Sequence, residues 1–110
     1  MASFNKFQAF AERVVEDINL GSDQLVIALC AAANAPVATN SVLADLTQVT
    51  YTNCSSRNVT TSSSSQTGGT YKLVCADLTL TASGGTVGPL QYVVLYDDTA
   101  TSKPLVGYWN

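Results

Sequence analysis

The stretch LQYVVLYDDTATSKPLVGYW, residues 90–109, decides the fold class. Residues 90–96 carry large apolar side chains at every second position, and this period of two predicts a β-strand. The aspartates at 97–98 are typical turn residues. Residues 105–109 then predict a further short strand. Two such strands with a turn between them favour antiparallel pairing.

Further strands are predicted upstream of this stretch. Residues 24–31 form a short, almost wholly apolar run, which is typical of a central strand buried on both faces. Residues 48–52 alternate apolar and polar side chains and predict a brief strand, and residues 70–82 predict a longer one. The hydroxyl-rich segment 53–70 between them suits an exposed or edge strand with a hairpin. Strands at this spacing without intervening helices predict a mainly β fold, an antiparallel sandwich or barrel-like sheet.

The amino-terminal segment follows a different period. From Ser3 to Leu20 apolar residues recur at steps of three and four, which predicts one amphipathic helix with Ser3 as its N-cap and Gly21 as its stop. We therefore expect a single domain, residues 1–110, in which an amino-terminal helix (1–20) precedes a β-domain (24–110). The predicted apolar face of the helix carries Phe4, Phe7, Phe10, Ala11, Val14 and Ile18.

The composition indicates a surface that is polar but weakly charged. Charged residues make up only 12% of the chain, about half of what a soluble domain usually carries, while 11 serines and 13 threonines supply small hydroxyl groups. A buried hydroxyl costs less than a buried unpaired charge. Such a surface suits a protein that is packed against many neighbours.

Several function classes are disfavoured. The chain has no histidine, which is the usual general base and the commonest zinc ligand, so we predict that it is not an enzyme. Its five basic residues are scattered and the net charge is −3, which disfavours nucleic-acid binding. No apolar stretch reaches the roughly 18 residues that span a bilayer. The amino terminus does not resemble a secretory signal, and we expect synthesis in the cytosol.

No cofactor or metal site is predicted. Cys30 and Cys75 adjoin apolar runs and are expected to be small buried groups, whereas Cys54 lies in a polar loop. Residues 97–99 could begin a calcium loop, but position 108, where the ligand pattern requires glutamate, is Tyr108. A turn is the better interpretation.

Several segments resemble a family of small virion structural proteins of tailed bacteriophages. The similarity extends over most of the chain and is carried by six segments: Met1–Phe7, Ala35–Asn40, Gly69–Val74, Ala82–Pro89, Tyr92–Ala100 and Pro104–Trp109. The resemblance implies a particle component without catalytic chemistry, synthesised in the cytoplasm of a bacterial host. Size and composition favour a capsid cement or decoration protein, located on the capsid surface, whose partner is the major capsid protein. Because decoration proteins commonly sit at threefold points, we expect a homotrimer.

Two surfaces are predicted to contact the shell. One is the helix face that bears Phe4, Phe7 and Phe10, although such a face more often packs on the protein's own sheet. The other is a corner rich in glycine and proline, where a backbone with few side chains can approach another chain closely. Its residues are Gly84, Gly85, Gly88 and Pro89.

A tail component is the main rival to the cement protein. A host-attachment protein that binds glycans would use aromatic side chains as a stacking platform, and the candidates are Tyr92, Tyr96 and Trp109. The same side chains could equally pack in the core.

Overall fold

The computed structural model describes residues 3–110. Its elements in chain order are the strand β1 (Asn5–Lys6), the helix α1 (Phe10–Glu16), and the strands β2 (Leu25–Cys30), β3 (Asn58–Val59), β4 (Thr61–Thr67), β5 (Thr70–Cys75), β6 (Tyr92–Asp97) and β7 (Leu105–Trp109). Two short 3-10 turns, Ala32–Asn34 and Leu43–Asp45, lie in the connection between β2 and β3.

The strands form two antiparallel sheets. The main sheet has five strands in the order β1-β7-β6-β2-β3, and β4 and β5 pair separately as a two-stranded sheet. Strand residues make up 35% of the chain and helical residues 12%, with one α-helix near the amino terminus, which confirms the predicted mainly β fold.

The strands with the clearest sequence patterns are where they were expected. All six side chains of β2 are buried, because this strand lies inside the main sheet between β6 and β3. Strand β6 pairs with β2 over its whole length, from Tyr92 opposite Cys30 to Asp97 opposite Leu25. Strand β7 has the predicted bounds.

Apolar side chains cover the main sheet on both faces. On one face Phe7 and the loop residues Leu43 and Leu46 pack against alternate residues of β2 and β6. On the other face the cover comes from Phe10 of α1 and from Leu73 and Cys75 at the base of the β4–β5 hairpin. Alternate side chains of the strands therefore pack into two cores, one on each face of the sheet, and neither face is left to solvent.

The amino-terminal helix is shorter than predicted. It begins at Phe10, its N-cap is Ala9, and it ends at Glu16 rather than at Gly21. Ser3 and the following residues are not helical, because Asn5 and Lys6 pair with Tyr108 and Gly107 of β7. Pairing with the sheet edge satisfies backbone groups that the first helical turn would leave without partners. Residues 1–2 of the predicted helix lie outside the described residues.

Two other strand predictions need correction. Residues 48–52 form no strand; the Val49 N–H donates to the Leu29 carbonyl at 2.9 Å, but the ladder does not continue. The strand predicted at residues 70–82 ends at Cys75, and a single bridge joins Ala82 to Cys54. In contrast, the predicted exposed hairpin within residues 53–70 is confirmed, because β4 turns into β5 through Gly68 and Gly69.

The close contact between β1 and β7 gives a first testable prediction. A Cβ atom at the buried Gly107 would collide with the Phe4 ring and lie 2.9 Å from the Asn5 carbonyl oxygen. Gly107→Ala should therefore push β1 away, at a cost of about 1 kcal/mol, the low end for overpacking, because Phe4 is half exposed and can move.

Denaturant unfolding followed by the fluorescence of the single tryptophan, Trp109, would measure this loss, since Phe4 stacks on Trp109. Gly21→Ala is the matched control, because its new Cβ would meet no backbone atom and its one tight contact, 3.3 Å to Ser64 Oγ, is with an exposed side chain that can shift. Equal stability of the two variants would contradict the packing described for β1.

Candidate functional site

The three amino-terminal phenylalanines do not share one helix face. Phe7 precedes the helix and is fully buried in the core beneath the main sheet. Phe4 is 48% exposed and stacks on Trp109, with ring centroids 4.9 Å apart. Phe10 packs half-buried on the opposite face of the sheet. Phe7 is therefore not accessible on the surface of the folded chain, and the single helix face predicted from these three residues is not formed.

The corner formed by residues 84–89 is exposed, as its composition predicts. Gly84 and Gly88 have φ values of +79° and +105°, a backbone region that favours glycine. A side chain at Gly85 would run into Asn53, so this glycine allows the corner to pack against the preceding loop. Val87 and Leu90 line a small apolar cavity of about 170 Å³, and Leu90 is 42% exposed. The corner thus offers backbone and one large apolar side chain to a neighbour.

The β4–β5 hairpin, called here the hairpin arm, is largely exposed. Six of the seven β4 side chains are exposed, and all seven residues of its stretch TSSSSQT carry a hydroxyl or an amide group. Its two-residue turn consists of Gly68 and Gly69, both with positive φ (57° and 86°), which is the geometry of tight hairpins. Tyr71 on β5 is exposed, and its hydroxyl shares a hydrogen bond of 2.6 Å with that of Ser64 on β4.

An open groove separates the hairpin arm from the helix and the loop that follows it. We call it the hairpin groove; its volume is about 340 Å³. Its apolar walls are Val14, Ile18 and Leu20 on one side and Tyr71 on the other. The neighbouring Val15 of α1 is 82% exposed, an unusual position for a large aliphatic side chain.

The aromatic residues do not assemble into a stacking platform. Tyr92 and Tyr96 lie on one face of β6 on either side of Val94, as predicted, but Tyr96 is buried in the core there. Trp109 packs toward the opposite face of the main sheet. The structure therefore separates Tyr92 and Tyr96 from Trp109, whose aromatic neighbour is Phe4.

Charged groups pair locally on the surface. Arg13 donates to Asp17 at 2.6 Å within and just beyond α1, and Lys103 donates to Asp98 at 2.6 Å in the turn between β6 and β7. Asp45 Oδ2 accepts the N–H groups of Ser41 and Val42, and these bonds lower the pKa of its carboxyl group. The corner and the hairpin arm lie apart from these pairs and carry almost no charge.

The cysteine prediction is partly confirmed. Cys30 is buried, and its burial raises the pKa of the thiol. Cys75 and Cys54 are both half-buried, so they do not differ in exposure as expected. Within residues 3–110 no three cysteine or acidic side chains come together as metal ligands would.

No sequence pattern predicts the carboxyl pair formed by the half-buried Asp23 and the buried Asp97. Asp97 was expected in a turn, and its Oδ1 indeed accepts the N–H groups of Thr99 and Ala100 at 2.9 and 3.0 Å. However, Asp97 is also fully buried, and the carboxyl group of Asp23 lies next to its own. The signal that could have located it is the pairing of β2 with β6, which places residue 25 opposite residue 97.

Comparisons of this chain with family models, with curated proteins and with solved structures find no match. The described part of the chain contains no helix that is long and apolar enough to cross a membrane.

Proposed function

We propose that the protein is a bacteriophage cement protein, which binds the lattice of the major capsid protein at the capsid surface and stabilises the shell without catalysing a reaction. The proposal starts from the sequence segments that resemble small virion proteins. The structural observation that carries it is the hairpin arm, whose exposed strands are mostly polar and carry one charged side chain, Lys72.

A two-stranded hairpin is marginal in water unless it packs on something else. Only the base of the arm packs on the core, through Leu73 and Cys75, while the strand residues nearer the turn are exposed. The backbone groups along its edges are free to pair with a neighbouring chain, and its hydroxyl groups can enter such an interface at low desolvation cost. An arm of this kind suits a protein that reaches across the joint between two shell subunits.

The second contact is the corner at residues 84–89. Leu90 beside this corner supplies an exposed apolar anchor, and the glycines allow close backbone approach. We place Gly84, Gly85, Gly88 and Pro89 in the contact with the major capsid protein, as the sequence predicted. In this proposal Phe4 contributes at most an edge contact and Phe7 none, because Phe7 is in the core.

Stabilisation follows from mass action. A ligand that binds only the assembled shell at about 100 times its dissociation constant contributes roughly 2.7 kcal/mol per site. Three copies around a threefold point would add their contacts, so we expect a homotrimer on the particle. Modest contacts per copy are sufficient when the same site repeats over the shell.

The experiment compares particles with and without the protein. Particles that lack it should release their genome at lower temperature and under milder osmotic shock. Antibody labelling in electron micrographs should mark heads rather than tails. Equal heat resistance of both kinds of particle would contradict the cement role.

Leu90→Asp tests the corner directly. A carboxylate at this position would be desolvated in the interface, and we expect attachment to particles to weaken at least about tenfold. Val37→Asp is the matched control, because Val37 is equally aliphatic, 52% exposed, and lies in a different loop. Circular dichroism of both variants would verify folding. Equal attachment of the two variants would remove the corner from the interface.

The alternative is a tail-associated or host-attachment protein that binds glycans. The observation that favours it is the exposed Phe4 ring beside Trp109 at the edge of the main sheet. Label on tails, together with glycan binding that Trp109→Ala abolishes, would support this function in place of the cement role.

A further inference from the structure

A buried carboxyl group lies at the end of β6 with one oxygen unused. Asp97 is fully buried, and two backbone N–H groups of the following turn donate to its Oδ1. No donor among residues 3–110 reaches its other oxygen, Oδ2. A buried acceptor without a donor is costly, and a buried charge without a partner more so.

The group that faces Asp97 is a second carboxyl group. Strand β2 pairs Leu25 with Asp97, and the chain just before Leu25 brings Asp23 to the same place. Both carboxyl groups lie at this point of the fold, and Asp23 Oδ2 accepts the Asn19 N–H at 2.9 Å. Two ionised carboxylates have no proton to donate, so a proton shared between the two groups would supply the partner that Asp97 Oδ2 otherwise lacks.

Among residues 3–110 the surroundings offer the pair no compensating cation. Strands β2 and β7, which pack against the end of β6, carry no charged side chain. In the turn after β6, Lys103 is bound to Asp98 at 2.6 Å, and on the side of Asp23, Arg13 is bound to Asp17 at 2.6 Å. Burial, followed by the neighbouring Asp23 carboxyl group, raises the pKa of Asp97 to about 6, and the Asp97 carboxyl group lowers the pKa of Asp23.

The pair joins two segments that are held together by few other bonds. The Gln24 N–H donates to Thr99 Oγ1 and the Asp98 N–H donates to the Gln24 carbonyl, both at 2.9 Å. On the other side of Asp23, residues 18–21 form one wall of the hairpin groove. Asn19 belongs to this wall and its N–H donates to Asp23, so the carboxyl pair and the wall are joined directly.

We propose that Asp23 and Asp97 form a pH-sensitive latch, which holds the loop before β2 against the turn between β6 and β7 while the pair shares a proton and loosens when both groups ionise. The latch is a property of the folded chain and does not depend on binding to a shell. Its state would set how firmly one wall of the hairpin groove is held.

The direction of the pH effect follows from linkage. Asp97 releases its proton near its ordinary value of 3.8 in the unfolded chain but holds it to about 6 in the folded protein. Between these values the folded state binds more protons, so stability falls as the pH rises and then stays at the lower level. Most surface carboxylates in proteins, such as Asp45 with its lowered pKa, act in the opposite direction.

Thermal unfolding of the purified chain as a function of pH tests the latch. The melting temperature of the unaltered protein should fall between about pH 4.5 and about pH 7.5. Asp97→Asn keeps the acceptor for Thr99 and Ala100 and supplies an N–H₂ donor toward Asp23, so it should remove this fall and raise the melting temperature by roughly 5 °C at the higher pH.

Two further variants keep the test decisive. Asp23→Asn removes the facing charge from the half-exposed side and should also flatten the pH dependence, even if Asp97→Asn folds poorly. Asp77→Asn, an exposed aspartate in a loop, should leave the curve of the unaltered protein unchanged. Amide exchange of Gln24 and Asp98, corrected for the intrinsic rate, should accelerate above about pH 6 in the unaltered protein only.

Parallel pH curves for the unaltered protein, Asp97→Asn and Asp23→Asn would overturn the latch. It would also be overturned if calcium ions raised the melting temperature of the unaltered protein at neutral pH but not that of Asp97→Asn, because the pair would then be a cation site.

Discussion

Replacing Phe7 by alanine is expected to lower the free energy of unfolding by about 3–5 kcal/mol, which is the usual cost of removing a fully buried phenylalanine ring. Phe7 is 0% exposed and packs among Val26, Val94 and Leu105, with its ring centroid 5.1 Å from that of Tyr108. Domains are stable by only about 5–15 kcal/mol, so this single change would remove a large part of the total. Urea unfolding followed by circular dichroism measures it.

Phe4→Ala is the matched control for Phe7→Ala. The two residues are three positions apart and chemically identical, but Phe4 is 48% exposed. We expect Phe4→Ala to cost about 1 kcal/mol, because about half of its side chain stays in water in the folded protein. If Phe7→Ala folded with unchanged stability yet lost attachment to particles, Phe7 would be a contact residue, as the sequence first suggested, and its position in the core would be wrong.

The fold was predictable where a single period accounts for the residues. The apolar run of β2 is explained only by a strand with two buried faces. The alternation in β6 and β7 is explained only by strands with alternate side chains in the core. The spacing of Phe4, Phe7 and Phe10 is compatible with a helix, and it is equally compatible with a short strand followed by a turn. Pairing of Asn5 and Lys6 with β7 decides between them, and that contact joins opposite ends of the chain.

The site was predictable only in its local parts. The corner and the hairpin turn could be predicted from their glycines, because glycine permits the backbone conformations that such turns require. The Asp23–Asp97 pair and the hairpin groove form where segments that are distant in sequence come into contact. No local sequence pattern predicts such contacts. The aromatic platform failed for a related reason, since Trp109 and Tyr96 point to opposite faces of the main sheet.

The outer edge of β2 shows how a side chain can replace a strand. Strand β3 pairs only with Leu25 and Val26, so the rest of β2 needs other partners on this side. The Leu29 N–H donates to the Tyr51 hydroxyl at 2.8 Å, and Arg57 donates to the Ile27 carbonyl at 2.7 Å. The predicted strand at 48–52 is therefore absent, but Tyr51 within it supplies a hydrogen bond to the edge of β2.

Tyr51→Phe is expected to lower the free energy of unfolding by about 2 kcal/mol, because it leaves the buried Leu29 N–H without an acceptor. The phenyl ring would still stack under Arg57, whose guanidinium carbon lies 3.7 Å from the ring centroid, so the loss reports the hydroxyl alone.

Tyr71→Phe is the control, since its hydroxyl bonds to Ser64 in an exposed position where water can substitute, and its cost should stay within about 0.5 kcal/mol. Amide exchange should show faster opening at Leu29 in Tyr51→Phe than in Tyr71→Phe. Equal stabilities for the two variants would mean that another acceptor reaches the Leu29 N–H and that Tyr51 is not the hydrogen-bond partner of this edge of β2.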